Sequence, residues 1–132
     1  MARLPIHTSE APAAIGPYSQ AIARDGLLYC SGAIPLDPGG ELVGAGDPAE
    51  QARQCLRNLE AVARAGGGEL REAVRVSVYT TELDQFAAIN EAYAEFFGEA
   101  PPARVTIGVA ALPKGALVEI DAIVALSAPG AE

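Results

Sequence analysis

The sequence predicts an α+β domain in which a six-stranded mixed sheet carries two helices on one face. The first observation is the order of the patterns along the chain, which runs strands, helix, strand, helix, strands. The second is the last strand pattern, whose apolar and acidic residues alternate and therefore divide between two faces. The third is the length: 132 residues suffice for one hydrophobic core, so we expect residues 1–132 to form a single domain.

The first strong pattern is a β-hairpin over residues 21–30. Asp25 and Gly26 separate two apolar runs, and an Asp-Gly pair in that place favours a two-residue turn with positive φ angles. A short strand before Glu10 is also compatible with the sequence. The segment 35–46 is rich in glycine and proline and predicts a loop.

A first helix is expected to begin at Asp47. Asp47 is a suitable N-cap, Pro48 suits the first helical position, and Glu50 would complete a capping box. The glycines of 66–68 are expected to end this helix. The apolar residues between these limits recur at helical spacing on one face and are Ala52, Cys55, Leu56, Leu59, Val62 and Ala63.

The second half of the chain adds a strand, a helix and two more strands. Residues 73–79 alternate apolar and polar side chains and predict a strand. A second helix is expected over 84–97, and Gly98 should end it. Two further strands are expected over 104–109 and 117–126. The apolar face predicted for the second helix consists of Phe86, Ile89, Tyr93 and Phe96.

The last strand carries the clearest functional clue, because one of its faces holds two acids, Glu119 and Asp121. Two helices cover only one face of a six-stranded sheet, so we expect a partner subunit to bury apolar residues that remain on the other. A carboxylate at the edge of such an interface is a candidate functional group. The plainer interpretation places both acids on a solvated face. The helix side should carry Val118, Ile120, Ala122 and Val124, and the opposite side Glu119, Asp121 and Ile123.

Arg104 begins the preceding strand and could reach a ligand near Glu119. An arginine fork binds a carboxylate through two charge-assisted hydrogen bonds, which makes Arg104 a candidate anion-binding residue. The alternative is a structural ion pair between Arg104 and either Glu119 or Glu99.

The charge balance and residue usage disfavour several classes of protein. Nine basic and seventeen acidic residues give a net charge of −8, which opposes binding to a nucleic-acid backbone or an anionic membrane. His7 is the only histidine, and Cys30 and Cys55 lack neighbouring ligands at metal-binding spacing, so we expect no metal site and no Ser–His–Asp triad. Without an apolar run of secretory or membrane-spanning length, we expect a cytoplasmic protein whose two cysteines are buried thiols.

Several segments together carry a resemblance to a known family. They are 11–21, 29–35, 51–54, 90–93, 102–107, 112–114 and 118–120. These segments resemble the RidA/YjgF family of reactive intermediate deaminases over nearly the whole chain, which makes the match more specific than any single motif. The resemblance implies a homotrimer of chorismate-mutase-like subunits in which the sheets form a central barrel, the helices lie outside, and the active sites lie in clefts between subunits.

The resemblance also implies a reaction, the hydrolytic deamination of enamine and imine acids (2-aminoacrylate, 2-iminopropanoate and 2-iminobutanoate) to 2-keto acids and ammonia. It implies neither a metal nor an organic cofactor. Arg104 matches the arginine that holds the substrate carboxylate, and Glu119 matches the acid that orients or activates the attacking water. Tyr18 matches the tyrosine that lines the cleft. Further positions that match residues near the pocket are Ser31, Gly32 and Asn90.

Thr106 stands where many family members have a cysteine, and a hydroxyl cannot supply a thiolate. If the site uses only the backbone there, imine hydrolysis is retained, because it needs orientation and a proton shuttle rather than a strong nucleophile. Two alternative functions stay open: a non-catalytic trimer that binds small carboxylates, and a nuclease, an activity attributed to some family members. The acidic balance disfavours the nuclease. In the plainer interpretations Tyr18 is an ordinary strand aromatic and Asn90 only braces the second helix.

Overall fold

Six strands form one mixed sheet, and both α-helices pack on the same face of it. The computed structural model describes residues 2–127. Its elements are β1 Leu4–Ile6, β2 Ala21–Arg24, β3 Leu27–Ala33, α1 Pro48–Ala65, β4 Ala73–Thr80, α2 Phe86–Ala94, β5 Ala103–Gly108 and β6 Val118–Ala125. The strand order is β1-β2-β3-β6-β4-β5, with β4 and β5 parallel and all other neighbours antiparallel. The predicted α+β fold is therefore confirmed.

The hydrophobic core lies between the sheet and the helices. Along β6 the buried and the half-buried side chains alternate at every residue, and β4 contributes Val76 and Val78, which are fully buried. The four apolar residues of β6 assigned to the helix side are all buried, as are the six residues predicted for the inner face of α1. The alternation in β6 and the helical spacing in α1 therefore predicted correctly which side chains face the core.

The hairpin between β2 and β3 forms as predicted. Asp25 and Gly26 have φ angles of 54° and 80°, and the flanking Arg24 and Leu27 are paired. Positive φ at both turn residues matches the twist of the strands, which explains the preference for Asp-Gly. The short N-terminal strand is present as β1 and pairs with β2.

The start of α1 confirms the predicted N-cap but not the complete capping box. The Asp47 carboxylate accepts a hydrogen bond from the backbone N–H of Glu50 at 3.2 Å. The Glu50 carboxylate does not return to the N-cap; it pairs with Arg53 at 3.2 Å and with Arg57 at 3.4 Å. Two cations one turn and two turns along the same helix hold this acid, so only half of the box forms.

The second helix is shorter than predicted. The α-helical part ends at Ala94 rather than near residue 97, and a 3₁₀ turn, Leu83–Gln85, precedes it. Phe86 was expected on the inner face, but its side chain is 43% exposed, whereas Phe97 is buried. The rings of Tyr93 and Phe97 pack with centroids 4.6 Å apart, so Phe97 takes the core position expected for Phe96. The buried residues of this segment are Ile89, Ala92, Tyr93 and Phe97.

Buried amides on α1 hold the neighbouring loop and strand, a feature that the apolar pattern did not reveal. The Gln51 side chain accepts from the backbone N–H of Leu117 at 2.7 Å and donates to the carbonyl of Gly44 at 3.0 Å. Asn58 donates to the carbonyl of Leu36 at 2.8 Å. Gln51 is only 1% exposed, so these bonds fix the entry to β6 from inside the core.

We predict that Gln51→Met lowers the free energy of unfolding by about 2–4 kcal/mol, because the backbone groups of Leu117 and Gly44 lose their buried partners. Methionine keeps the length of the side chain, so packing changes little. Urea unfolding at a fixed protein concentration measures the change. The matched control is Gln85→Met at an exposed position, which should shift stability by less than about 0.5 kcal/mol. Equal effects of the two substitutions would contradict the role of Gln51.

Candidate active site

Arg104 lies on the edge strand β5, and α2 holds its guanidinium group. Its register partner on β4 is Val76, a core residue, so Arg104 is on the helix side of the sheet. The guanidinium carbon lies 4.6 Å from the ring centroid of Tyr93 and 5.6 Å from that of Phe86. Nη2 donates to the Asn90 side-chain oxygen at 2.7 Å. Asn90 therefore does more than brace its own helix, because it orients the arginine.

The guanidinium of Arg104 has no carboxylate partner within residues 2–127. The alternative of a structural ion pair with Glu119 or Glu99 is therefore wrong for the described chain. The one hydrogen-bond acceptor that holds Arg104 is a neutral amide. Since the charge is not compensated, the remaining N–H groups of the fork are suited to an anionic ligand.

Thr106 follows Arg104 on the same side of β5. Its register partner is Val78, another core residue. The hydroxyl oxygen of Thr106 is covered from solvent and has no hydrogen-bond partner among the described residues. The Thr106 hydroxyl thus points into the protein rather than toward solvent.

Glu119 lies on the other side of the sheet, on β6 between β3 and β4. It is half-buried, and a Cβ added to Gly32 would collide with its carboxylate and lie 3.0 Å from its Cδ. A larger residue at position 32 would therefore force the Glu119 carboxylate out of its present position beside β3. Burial raises the pKa of Glu119 above its ordinary value, and the negative charge of Asp121 raises it further. The acid is thus in contact with the protein rather than fully solvated.

Ser31 and Gly32 lie where the β3–β6 ladder is irregular. The register shifts between Cys30 and Ala33, as in a β-bulge. The Ser31 hydroxyl donates to the carbonyl of Ser19 at 2.6 Å. Together with Tyr18, Ser31 and Gly32 line a cavity of about 50 Å³ between the N-terminal loop, β3 and α1. The structure therefore brings together three of the residues suggested by the sequence.

Tyr18 lies on the loop before β2 and is 47% exposed, so it is not a strand aromatic. Its hydroxyl accepts a hydrogen bond from the backbone N–H of Ile15 at 3.3 Å. Gln20, which the sequence did not single out, fixes this loop: its amide accepts from the N–H of Thr8 at 2.7 Å and donates to the carbonyl of Pro12 at 2.8 Å. A buried glutamine beside a glycine- and proline-containing loop was the available signal for this role.

Arg104 and Glu119 lie on opposite faces of the sheet. We call Arg104, Asn90 and Thr106 the arginine cluster, and Glu119 with Gly32 the glutamate cluster, whereas Ser31 and Tyr18 line the cavity beside α1. Arg104 is in register with Val76 and Ala122 on the helix side, whereas Glu119 is in register with Tyr79 and Ile107 on the helix-free side. The expectation that Arg104 reaches a ligand near Glu119 is therefore not met within one chain.

Other types of site are not found in residues 2–127. No group of three or more His, Cys, Asp and Glu side chains could hold a metal ion there, and neither helix is long and apolar enough to cross a membrane. Both cysteines are free and buried, as expected. Burial raises the pKa of the Cys30 thiol to about 12, with a further contribution from the charge of Asp121. An accessible reactive thiolate is not available at this position.

The fold and the two clusters describe a small α+β protein with an uncompensated arginine and a half-buried glutamate. A family model described as Endoribonuclease L-PSP matches residues 8–126. A RutC family protein from Sinorhizobium fredii is 49% identical over 123 residues, covering 93% of this chain and 98% of the relative. The mouse 2-iminobutanoate/2-iminopropanoate deaminase is 42% identical over 118 residues, covering 89% and 87%.

Solved structures agree with these relatives. RidA from an Antarctic Psychrobacter has a TM-score of 0.89 at 40% identity, covering 93% of this chain and 99% of that one. E. coli TdcF with bound serine has a TM-score of 0.88 at 39% identity, covering 94% and 99%. The chain therefore belongs to the YjgF/RidA family.

We predict that Glu119→Gln raises the free energy of unfolding at neutral pH. A folded-state pKa above the unfolded value means that the fold binds the proton more tightly, so stability falls as pH rises through the pKa of Glu119. The advantage of the variant should disappear below about pH 4.3, where glutamate is protonated in both states. Urea unfolding across this pH range tests it, with the exposed Glu72→Gln as a control for the loss of one negative charge. A wild type that is more stable than Glu119→Gln at neutral pH would contradict the assignment.

Proposed function

We propose that this chain hydrolyses reactive enamine and imine acids, namely 2-aminoacrylate, 2-iminopropanoate and 2-iminobutanoate, to 2-keto acids and ammonia. The observation that carries the proposal is the guanidinium of Arg104, which Asn90 orients at 2.7 Å and which no carboxylate of residues 2–127 neutralises. A planar cation of this kind fits the carboxylate common to these substrates. The mammalian relatives at 42% identity are named for this activity.

We further propose that the site is completed between subunits of a homotrimer. The arginine and glutamate clusters lie on opposite faces of the sheet, so one chain cannot place both against one small molecule. Arg104 lies on an edge strand, where a neighbouring subunit can approach. The helix-free face also exposes apolar side chains: Ile107 is 46% and Tyr29 44% exposed. Such a face favours burial against another copy, which would bring the Arg104 of one subunit to the Glu119 of the next.

In the proposed reaction the enamine first tautomerises to the imine. Arg104 holds the substrate carboxylate and thereby fixes the imine carbon, while the Glu119 carboxylate accepts a proton from water as its oxygen bonds to that carbon. The protonated Glu119 returns that proton to nitrogen, which gives a neutral carbinolamine with one hydroxyl and one amino group. Glu119 then takes the hydroxyl proton and passes it to the amino group, so that the C–N bond breaks as the C=O bond forms, and ammonia and the 2-keto acid leave. A raised pKa makes the ionised Glu119 a stronger base toward the proton of water.

A second candidate function is a non-catalytic trimer that binds small carboxylates. The relative TdcF was solved with serine bound, and a shared fold does not fix the chemistry. The arginine cluster would serve such binding equally well. A nuclease activity, which the family description names, is opposed by the net charge of −8.

We predict that Arg104→Ala and Glu119→Gln each lower kcat/KM for imine hydrolysis by about 10²–10⁴. The assay measures 2-keto acid and ammonia from 2-aminoacrylate that a dehydratase generates in place, above the uncatalysed rate. The matched control is Arg64→Ala, which removes an exposed arginine paired with Glu60 at 3.5 Å and should leave the rate unchanged. Size-exclusion chromatography checks that each variant keeps the wild-type assembly.

Full activity in Arg104→Ala would rule out its role in holding the carboxylate. Keto-acid binding that requires Arg104, without turnover of any of the three imino acids by the wild type, would establish the carboxylate-binding trimer instead. The nuclease hypothesis would require that the protein binds RNA at low salt.

A further inference from the structure

Glu119 and Asp121 form an uncompensated pair of acids on the helix-free face of β6. They are two residues apart, so their side chains point the same way. Neither forms a salt bridge with a basic side chain within residues 2–127. The negative charge of Asp121 disfavours the ionisation of the half-buried Glu119 beside it. A purely structural role therefore does not account for two acids, Glu119 and Asp121, at these positions.

The neighbouring strand β4 connects the two acids through Tyr79. Tyr79 is in register with Glu119, and Ser77 is in register with Asp121. The Tyr79 hydroxyl donates a hydrogen bond to the Asp121 carboxylate at 3.1 Å rather than to Glu119, its register partner. The phenol therefore lies beside Glu119 and holds Asp121 in place diagonally across the ladder.

The other charged or titratable groups around β6 are farther along the strands or on the opposite face. Arg75 of β4 and Tyr29 of β3 are both in register with Ile123, and both are exposed. On the helix side, the thiol of Cys55 bonds to the carbonyl of Val118 at 3.5 Å. Asp121 is thus the charged group of the described chain that is placed to act on Glu119 from its own face.

We propose that Asp121, held by Tyr79, is a positioning residue that controls the protonation of Glu119. The proposal rests on the proposed function, in which Glu119 moves the proton of the attacking water. The negative charge of Asp121 makes a second negative charge at Glu119 less favourable, so the ionised Glu119 is a stronger base.

The electrostatics of the surrounding groups agree with this geometry. Burial is the largest cause of the raised pKa of Glu119, and Asp121 is the next. The same charge contributes, after burial, to the raised pKa of the Cys30 thiol and of the Tyr79 phenol. The field of Asp121 therefore reaches groups on both β3 and β4 as well as its neighbour on β6.

The decisive variant is Asp121→Asn, which keeps the shape and the ability to accept from Tyr79 but removes the charge. We expect the pKa of Glu119 to fall, and we expect the acid limb of the kcat/KM profile to move to lower pH by the same amount. The plateau rate should fall, because a weaker base accepts the proton less readily. Tyr79→Phe removes the hydrogen bond that holds the Asp121 carboxylate. We expect it to lower the pKa of Glu119 and to move the acid limb of the kcat/KM profile to lower pH, both by less than Asp121→Asn does.

Titration of the ¹³C-labelled carboxyl groups by NMR gives the Glu119 pKa directly, with its resonance assigned by its loss in Glu119→Gln. The control is Glu72→Gln, which removes one exposed charge and should leave the Glu119 titration unchanged. An unchanged Glu119 titration in Asp121→Asn, or an equal shift in the control, overturns the proposal. Because the NMR titration needs no substrate, a shifted Glu119 in a protein that hydrolyses no imino acid would overturn the proposed function and support the coupling.

Discussion

The alternation of side chains along β6 is the constraint on which the fold and the site both depend. Every second residue, from Val118 to Val124, is buried beneath the helices. The intervening positions place Glu119 and Asp121 on the face that no helix covers. A slip of one residue in the pairing of β6 would bury both acids and expose the core face. The bonds from Gln51 and Cys55 to Leu117 and Val118 fix the strand where it enters the sheet.

Local features of the fold could be predicted because they depend on a few adjacent residues. The Asp25-Gly26 turn and the Asp47 cap each need only the conformational preferences of their own segment. The predicted end of α2 was wrong because the apolar pattern continues to Phe97, whose ring packs on that of Tyr93 although the α-helix ends at Ala94. The second half of the capping box did not form because Arg53 and Arg57 of the same helix compete for the Glu50 carboxylate.

The residue types of the candidate site could be read from the sequence, but their arrangement could not. The residue types at 104 and 119 suggested an anion site and an acid, and the structure gives both an environment that suits these roles. Their placement on opposite faces depends on the parallel pairing of β5 with β4, in which Arg104 lies beside Val76 rather than Tyr79. No period in the sequence specifies that register. The same applies to Tyr79, whose bond to Asp121 crosses between two strands.

In both clusters a charged side chain lacks an oppositely charged partner among residues 2–127, although such a partner would stabilise the fold. Arg104 has a neutral partner, and Glu119 has a like-charged neighbour. Unpaired groups of this kind cost stability and are typical of functional sites. The proposed trimer would bring both groups to one ligand, with Arg104 from one subunit and Glu119 from the next.

The central claim is that each active site takes Arg104 from one subunit and Glu119 from another, and mixing two inactive variants tests it most directly. Arg104→Ala and Glu119→Gln chains with different affinity tags are coexpressed, and oligomers that carry both tags are isolated and assayed with 2-aminoacrylate. Each isolated mixed trimer, whichever variant supplies two of its chains, has one interface out of three that joins both intact residues, so about one third of the wild-type sites are restored. Recovery near that fraction is the result we predict. Mixed oligomers as inactive as either parent would show that the two residues do not act across an interface.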